Sequence, residues 1–265
     1  MSLVLIASVC VGAVAAVCAA VLAIANRFIS VKEDPRIGKV ASILPGANCG
    51  GCGYAGCGDY ARAIITSDAP LNKCPVGGPD VAQALAAFLG RDAGASGEKM
   101  VAYVACGGVA GSAARRALYN GINDCSAAAA TGGGDKACRW GCLGYGSCAR
   151  VCPVKAISLA DGIAKVDAGR CVGCMACVEV CPRKVIRLVP ASAKLHVRCS
   201  SHDKGPVVRQ ACSVGCLGCG MCARLAPGAF KVEGFLSSRD YSAELPPDET
   251  ASAKCPGHCI RYDER

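Results

Sequence analysis

The chain of 265 residues carries 23 cysteines, most of them in runs of three or four, several closed by a Cys-Pro pair. Cysteine at this density serves disulfides, zinc or iron–sulfur clusters. Disulfide scaffolds are usually short, secreted and stapled in pairs. Zinc sites typically combine two separated Cys-x-x-Cys pairs. Runs of three thiols with a fourth before proline are the pattern that wraps a [4Fe–4S] cube, and that chemistry is expected here.

Cys49, Cys52, Cys57 and Cys74 form the first group, starting in Asn48-Cys49-Gly50-Gly51-Cys52-Gly53-Tyr54-Ala55-Gly56-Cys57 and closing at Cys74-Pro75. Glycines between the first three thiols let the backbone curl around a cluster and aim N–H groups at its sulfurs. An alanine-rich helix expected from Asp59 to Thr66 returns the chain to Cys74.

Beyond Cys138 a second pattern repeats. Cys152-Pro153 leads to Ile157, Cys181-Pro182 to Ile186, Ala226-Pro227 to Phe230 and Cys255-Pro256 to Ile260. Four copies predict two tandem bacterial-type ferredoxin folds, the second degenerate. In such folds the fourth cysteine of each run ligates the other cluster. The run Cys171, Cys174, Cys177 is intact, and crossing assigns it Cys152 as fourth ligand. Its upstream partner has Tyr145 where a middle cysteine belongs, and Cys138, four residues before Cys142, can supply the missing thiolate. That gives Cys138, Cys142, Cys148 and Cys181. The second fold keeps Cys216, Cys219 and Cys222, with Ala226 in place of a fourth cysteine, while its downstream copy keeps only Cys255-Pro256. The two losses match, so Cys216, Cys219, Cys222 and Cys255 are expected to form one complete site.

At least four [4Fe–4S] clusters are therefore expected. Cys106, Cys125, Cys199 and Cys212 remain, and either form a fifth site or are buried or paired thiols. Cys259 occupies the slot held by Ala156, Val185 and Ala229 in the other copies and reads as a small core residue.

The elements that must position these thiols are legible in outline. Leu3 to Ala25 is an uncharged apolar run. At about 1.5 Å per residue it is long enough to cross a bilayer core of about 30 Å. No basic residue precedes it and the run is longer than a signal-peptide core, so a retained anchor is expected. Arg27, Lys32, Arg36 and Lys39 follow, which places the C-terminal side in the cytoplasm. Cys10 and Cys18 lie inside the span as small apolar residues. The expected organisation is α+β: a transmembrane anchor over 1–28, a four-cysteine [4Fe–4S] domain over 29–90, and a polyferredoxin domain of tandem ferredoxin-like folds over 91–265. Met100 to Cys106 reads as a strand, and Asp161-Gly162 as a hairpin turn.

Composition excludes several other functions. The formal charge of +9 is largely offset if each cluster with its thiolates adds roughly −2. No basic stretch is interleaved with aromatics, so nucleic-acid binding is not expected. His196, His202 and His258 each stand alone, no carboxylate pair suggests acid–base work, and no G-x-G-x-x-G opens a dinucleotide fold.

With Asn48-Cys-Gly-Gly-Cys-Gly-Tyr, Lys136-Ala-Cys-Arg-Trp-Gly-Cys-Leu-Gly-Tyr-Gly-Ser-Cys and the anchor in view, nearly the whole chain resembles the B subunit of the Rnf electron transport complex. The resemblance implies a membrane complex moving electrons between reduced ferredoxin and NAD+, coupled to Na+ or H+ transport. Such a subunit would accept electrons from soluble ferredoxin and relay them to partners. One span and no dinucleotide fold leave ion transport and flavin chemistry to those other membrane and flavin-bearing subunits. The C-terminal copy lacks a cluster set that longer family members carry. Two alternatives remain in the same chemistry: a complex run in reverse to reduce a redox-sensing regulator, and a standalone anchored ferredoxin. A zinc-stabilised scaffold is the alternative from another class. An acidic ferredoxin would dock on basic residues near the clusters, with Arg139, Arg150, Lys155, Arg183, Lys184 and Arg187 as candidates; the same residues could instead only offset cluster charge.

Overall fold

The computed structural model describes residues 3–29, 34–94, 97–245 and 250–263. Lys32, one of the four cations expected beside the membrane, lies outside them.

α1 (Leu3–Ile29) is a single apolar helix, and Leu5–Ala25 is long and apolar enough to cross a membrane, with no part of it buried against the protein. α2 (Pro35–Ile43) starts where Asp34 caps the Arg36 N–H at 2.8 Å and Pro35 presets the first turn. It packs Ile37 and Val40 onto Tyr60, Ala61 and Ile64 of α3 (Cys57–Thr66). α4 (Gly78–Leu89) adds Leu85 to the same core and stops at left-handed Gly90, the expected domain boundary. This core holds Cys74, so one small cluster of apolar residues fixes the fourth thiol of the first group.

β1 (Met100–Val104) pairs antiparallel with a distant strand, as described below. The insertion after it contains α5 (Cys125–Ala130), capped by Asp124. α6 (Ser147–Arg150) leads into the hairpin of β2 (Ile157–Ala160) and β3 (Ile163–Val166). Asp161 and Gly162 both have positive φ, 54° and 74°, the geometry that a tight hairpin turn requires. α7 (Ala176–Glu179) precedes β4 (Ile186–Pro190), which closes the fold by pairing with β1, Met100 facing Pro190 and Val104 facing Ile186. The core is Val101, Val104, Ile157, Ile163, Val185, Ile186 and Val189, packed around cysteines.

The second module repeats this plan. β5 (Leu195–Val197) leads to α8 (Gly205–Ala211) and α9 (Met221–Leu225). Then come the hairpin of β6 (Phe230–Glu233) and β7 (Leu236–Arg239), α10 (Thr250–Ala253), and β8 (Ile260–Tyr262), which pairs with β5. The repeat is written in the backbone as well as in the sequence. Lys155, Lys184, Gly228 and His258, each two residues before a strand, all have positive φ. Gly146, Met175 and Gly220, each two residues before the last thiol of a run, cap a short helix from the same left-handed region.

The modules are sewn together. Gly107 N–H donates to the Arg198 carbonyl at 2.9 Å, Ala114 N–H to the Ala211 carbonyl at 2.9 Å, and Ser200 Oγ to the Ala105 carbonyl at 2.9 Å. His196 of β5 is fully buried, stacked on Tyr103 of β1 with centroids 4.3 Å apart.

Candidate metal centres

In the four-cysteine domain, Cys49, Cys52, Cys57 and Cys74 line one cavity with Pro45, Tyr60 and Pro75. Asn48 organises the loop: its Oδ1 accepts the Cys57 N–H at 2.8 Å. The Gly77 N–H reaches the Cys74 sulfur at 3.3 Å. Beneath them buried Tyr60 donates to the Pro70 carbonyl at 2.6 Å, tying the helix to the segment that carries Cys74.

In the first ferredoxin module, Cys152, Cys171, Cys174 and Cys177 line a second cavity with Ala102, Val154 and Ile157. Backbone N–H groups again point at sulfur, Ala102 at Cys171 (3.3 Å) and Ala156 at Cys152 (3.2 Å). Bonds of this kind stabilise thiolates and tune cluster potential. The two cavities adjoin. A Cβ built on Gly51 would lie 3.1 Å from the Cα and carbonyl oxygen of Cys174 and 2.9 Å from Pro75. Only glycine allows the four-cysteine domain to approach that closely.

In the second module, Cys216, Cys219, Cys222 and Cys255 line a cavity that also takes in Cys259. Ser237 serves two of them, its N–H to Cys216 at 3.3 Å and its Oγ to Cys222 at 3.1 Å. Cys259 is buried in the core, as its slot in the repeat suggests, and also faces this cavity. Its sulfur lies 3.7 Å from that of Cys255. By hydrogen bonding it lowers Cys255 to about 5 and Cys216 to about 6, while its own thiol is pushed up.

In the remaining site the structure places Cys138 and Cys125 differently from the spacing argument. Ala137 N–H donates to the Ala114 carbonyl and Lys136 forms a β-bridge with Arg115, and between this bridge and Cys142, Cys138 lines a cavity with Cys106, Cys199 and Cys212. Cys125 stands instead beside Cys148. Its N–H is held by Ser147 Oγ at 2.8 Å, and that hydroxyl donates to Asp124 at 2.8 Å. Besides burial, the neighbouring thiols Cys142, Cys125, Cys181 and Cys177 push Cys148 up. Cys125, held beside Cys148 through Ser147, therefore stands as the alternative to Cys138 for the site with Cys142, Cys148 and Cys181. Sequence spacing gives distance along the chain but not side, so only the fold of the insertion separates the two candidates.

Burial pushes the Cys148 and Cys177 thiols up to about 12 and Cys199 to about 11. Such thiols stay protonated until a cationic centre replaces the proton. Clustered thiols with N–H donors aimed at sulfur fit [4Fe–4S] cubes. When bound, these supply one-electron transfer.

The basic residues expected to greet a partner are split. Arg139 pairs with Asp203 at 2.8 Å and Arg150 with Asp124 at 2.6 Å. Arg183 is half-buried and donates to the carbonyls of Arg139 and Gly133. Its burial makes it a structural cation and not a docking one. Lys155, Lys184 and Arg187 are exposed and make no ion pair among the described residues.

These features define a class: an iron–sulfur electron carrier with a four-cysteine domain, ferredoxin modules and one apolar helix. A family described as a putative Fe-S cluster matches residues 44–76, and a 4Fe-4S binding domain matches residues 164–187. The B subunit of the ion-translocating oxidoreductase complex of Methanosarcina acetivorans is 45% identical over 83% of this chain and 83% of its own. The B subunit of the Na(+)-translocating ferredoxin:NAD(+) oxidoreductase complex of Acetobacterium woodii is 41% identical over 91% of this chain and 73% of its own. The proton-translocating counterpart from Clostridium ljungdahlii is 40% identical over 91% and 86%. The chain belongs to the family of B subunits of Rnf-type, ion-translocating oxidoreductase complexes, and is an electron-transfer subunit of such a complex.

Proposed function

We infer that this chain accepts electrons from reduced ferredoxin and relays them along [4Fe–4S] clusters to the flavin-bearing and membrane subunits of a ferredoxin:NAD+ oxidoreductase complex. The observation that carries this is the sequence of neighbouring thiol sets. Cys49 of the four-cysteine domain acts on Cys174 of the next set, and Cys177 of that set on Cys148 of the following one. Adjoining sets that continue from one domain into the next suit a relay between separate sites. The ligand sets in this reading are Cys49, Cys52, Cys57 and Cys74; Cys152, Cys171, Cys174 and Cys177; Cys125, Cys142, Cys148 and Cys181; and Cys216, Cys219, Cys222 and Cys255.

The names of the Acetobacterium and Clostridium relatives support ferredoxin as donor and NAD+ as final acceptor. α1 holds the chain in the cytoplasmic membrane, with Arg27, Arg36 and Lys39 keeping the cluster domains on the cytoplasmic side. The domain limits in this reading are 1–28, 29–90 and 91–265. The test is purification of a tagged chain from native membranes. Polytopic and flavin-containing partners should accompany it, and ferredoxin-dependent NAD+ reduction should disappear from membranes when the chain is removed. A tagged chain that purifies alone, from membranes whose activity survives its removal, would make it a standalone anchored ferredoxin.

A further inference from the structure

We propose that Cys106, Cys138, Cys199 and Cys212 bind an additional [4Fe–4S] cluster at the joint between the two ferredoxin modules. The proposal rests on the iron–sulfur reading above and adds a site to it.

The four thiols share one cavity, with Gly108 and Gly141 beside their sulfurs. A Cβ on Gly108 would lie 3.5 Å from the Cys212 sulfur and 3.6 Å from that of Cys106; one on Gly141 would lie 3.5 Å from the sulfurs of both Cys106 and Cys138. All four cysteines are free, so no disulfide accounts for their convergence.

Their origin argues for a designed site. Cys106 follows β1 by two residues and Cys199 follows β5 by two residues. Cys138 precedes Cys142 by four residues, and Cys212 precedes Cys216 by four. Each module thus contributes the same two positions, and the cavity forms where the two copies meet. Neither position ligates in the ordinary ferredoxin run, so both are spare thiols that only a module pair can use.

The charge balance fits as well. Lys136 is 5% exposed and lines the cavity, its Nζ donating to the carbonyls of Gly108 at 3.2 Å and Gly162 at 2.8 Å. It has no carboxylate partner among the described residues. A buried ammonium needs compensation. A four-thiolate cluster, with a net charge of roughly −2, supplies it. On loading, each thiol releases its proton to solvent as its sulfur bonds iron, with ferric and ferrous iron in equal amounts and sulfide as co-reactants, which gives the core its charge of roughly +2 and the four-thiolate site its roughly −2.

Position gives the site a use. Cys106 acts on Cys142 of the first module, and Cys199 lies beside Cys216 of the second. A cluster here completes the path from module to module.

The test uses the full-length chain, reconstituted anaerobically with ferric and ferrous iron and sulfide, and native mass spectrometry of wild-type holoprotein in detergent. Five clusters, about twenty irons per chain, are expected. Cys138→Ala, Cys199→Ala and Cys212→Ala should each abolish the same EPR signal of the reduced protein, while Cys125→Ala abolishes a different one. A fully loaded wild type that stops at four clusters overturns the proposal and leaves the relay standing. So does a Cys138→Ala protein that loses the signal lost in Cys142→Ala. A wild type that takes up zinc and no iron removes the relay reading itself. The wild-type count decides the matter even where a variant fails to fold.

Discussion

Single atoms decide the two ambiguous thiols of the second module. Cys255 has the Cys-Pro context of a ligand, and Cys259 has the slot of a packing residue, yet both sulfurs reach the cavity. Cys255→Ala should cost one cluster and leave the first module's signals intact. Cys259→Ala should keep the iron count and shift only the potential of that cluster, since it removes a sulfur donor. Iron and sulfide analysis with EPR checks both, and the reverse pattern would make Cys259 the ligand. A second residue-scale effect follows from His196. Complete burial lowers its pKa to about 4, although Asp263 at 3.5 Å opposes the shift. In the unfolded chain the value is about 6.5. The unfolded state therefore takes up a proton that the folded state refuses. Its stabilising contribution is present above about pH 6.5 and falls as pH drops toward 4, by up to about 3 kcal/mol. Thermal unfolding of wild type should weaken more between neutral and mildly acidic pH than that of His196→Gln. Comparing the two removes any acid effect on the clusters that both share.

Elements follow the sequence closely where interactions are local. The Asp161-Gly162 turn, the strand before Cys106, the helix after Cys57 and the four strand-leading Cys-Pro or Ala-Pro units all lie where patterning predicts. Each is set by residues within a few positions of one another. The insertion between β1 and Cys138 is not legible in this way, because its few short bridges run to distant partners, Ala113 to Cys212 and Arg115 to Lys136. That is why spacing alone does not separate Cys125 from Cys138. The six docking cations show the same limit, since a sequence cannot tell Arg183, folded onto the carbonyls of Gly133 and Arg139, from exposed Lys184. Charge reversal at Lys155, Lys184 and Arg187 should slow electron entry from an acidic ferredoxin severalfold at low salt, with iron content unchanged. The effect should fade toward about 0.1 M salt, where the Debye length is about 10 Å. A rate indifferent to both would move the docking face to the four-cysteine domain. The anchor is separable by the same reasoning. Removing residues 1–26 takes away no proposed ligand, so the remaining chain should stay soluble with its full iron content and fail to join the complex.

The whole molecule is a set of small cores, with backbone bonds tying the two ferredoxin modules together. The contact between the four-cysteine domain and the first module depends on Gly51. Gly51→Val should push against both Pro75 and Cys174 and slow transfer between the two clusters, with iron analysis checking that the cluster held by Cys74 remains. The central claim is the relay itself, and its most direct test is anaerobic stopped-flow mixing of the purified full-length holoprotein with reduced ferredoxin. The visible absorbance of the clusters should bleach in successive phases, to the extent that strong chemical reductant bleaches it, with the later phases lost in Gly51→Val. Clusters that a chemical reductant bleaches and reduced ferredoxin leaves untouched would contradict the account.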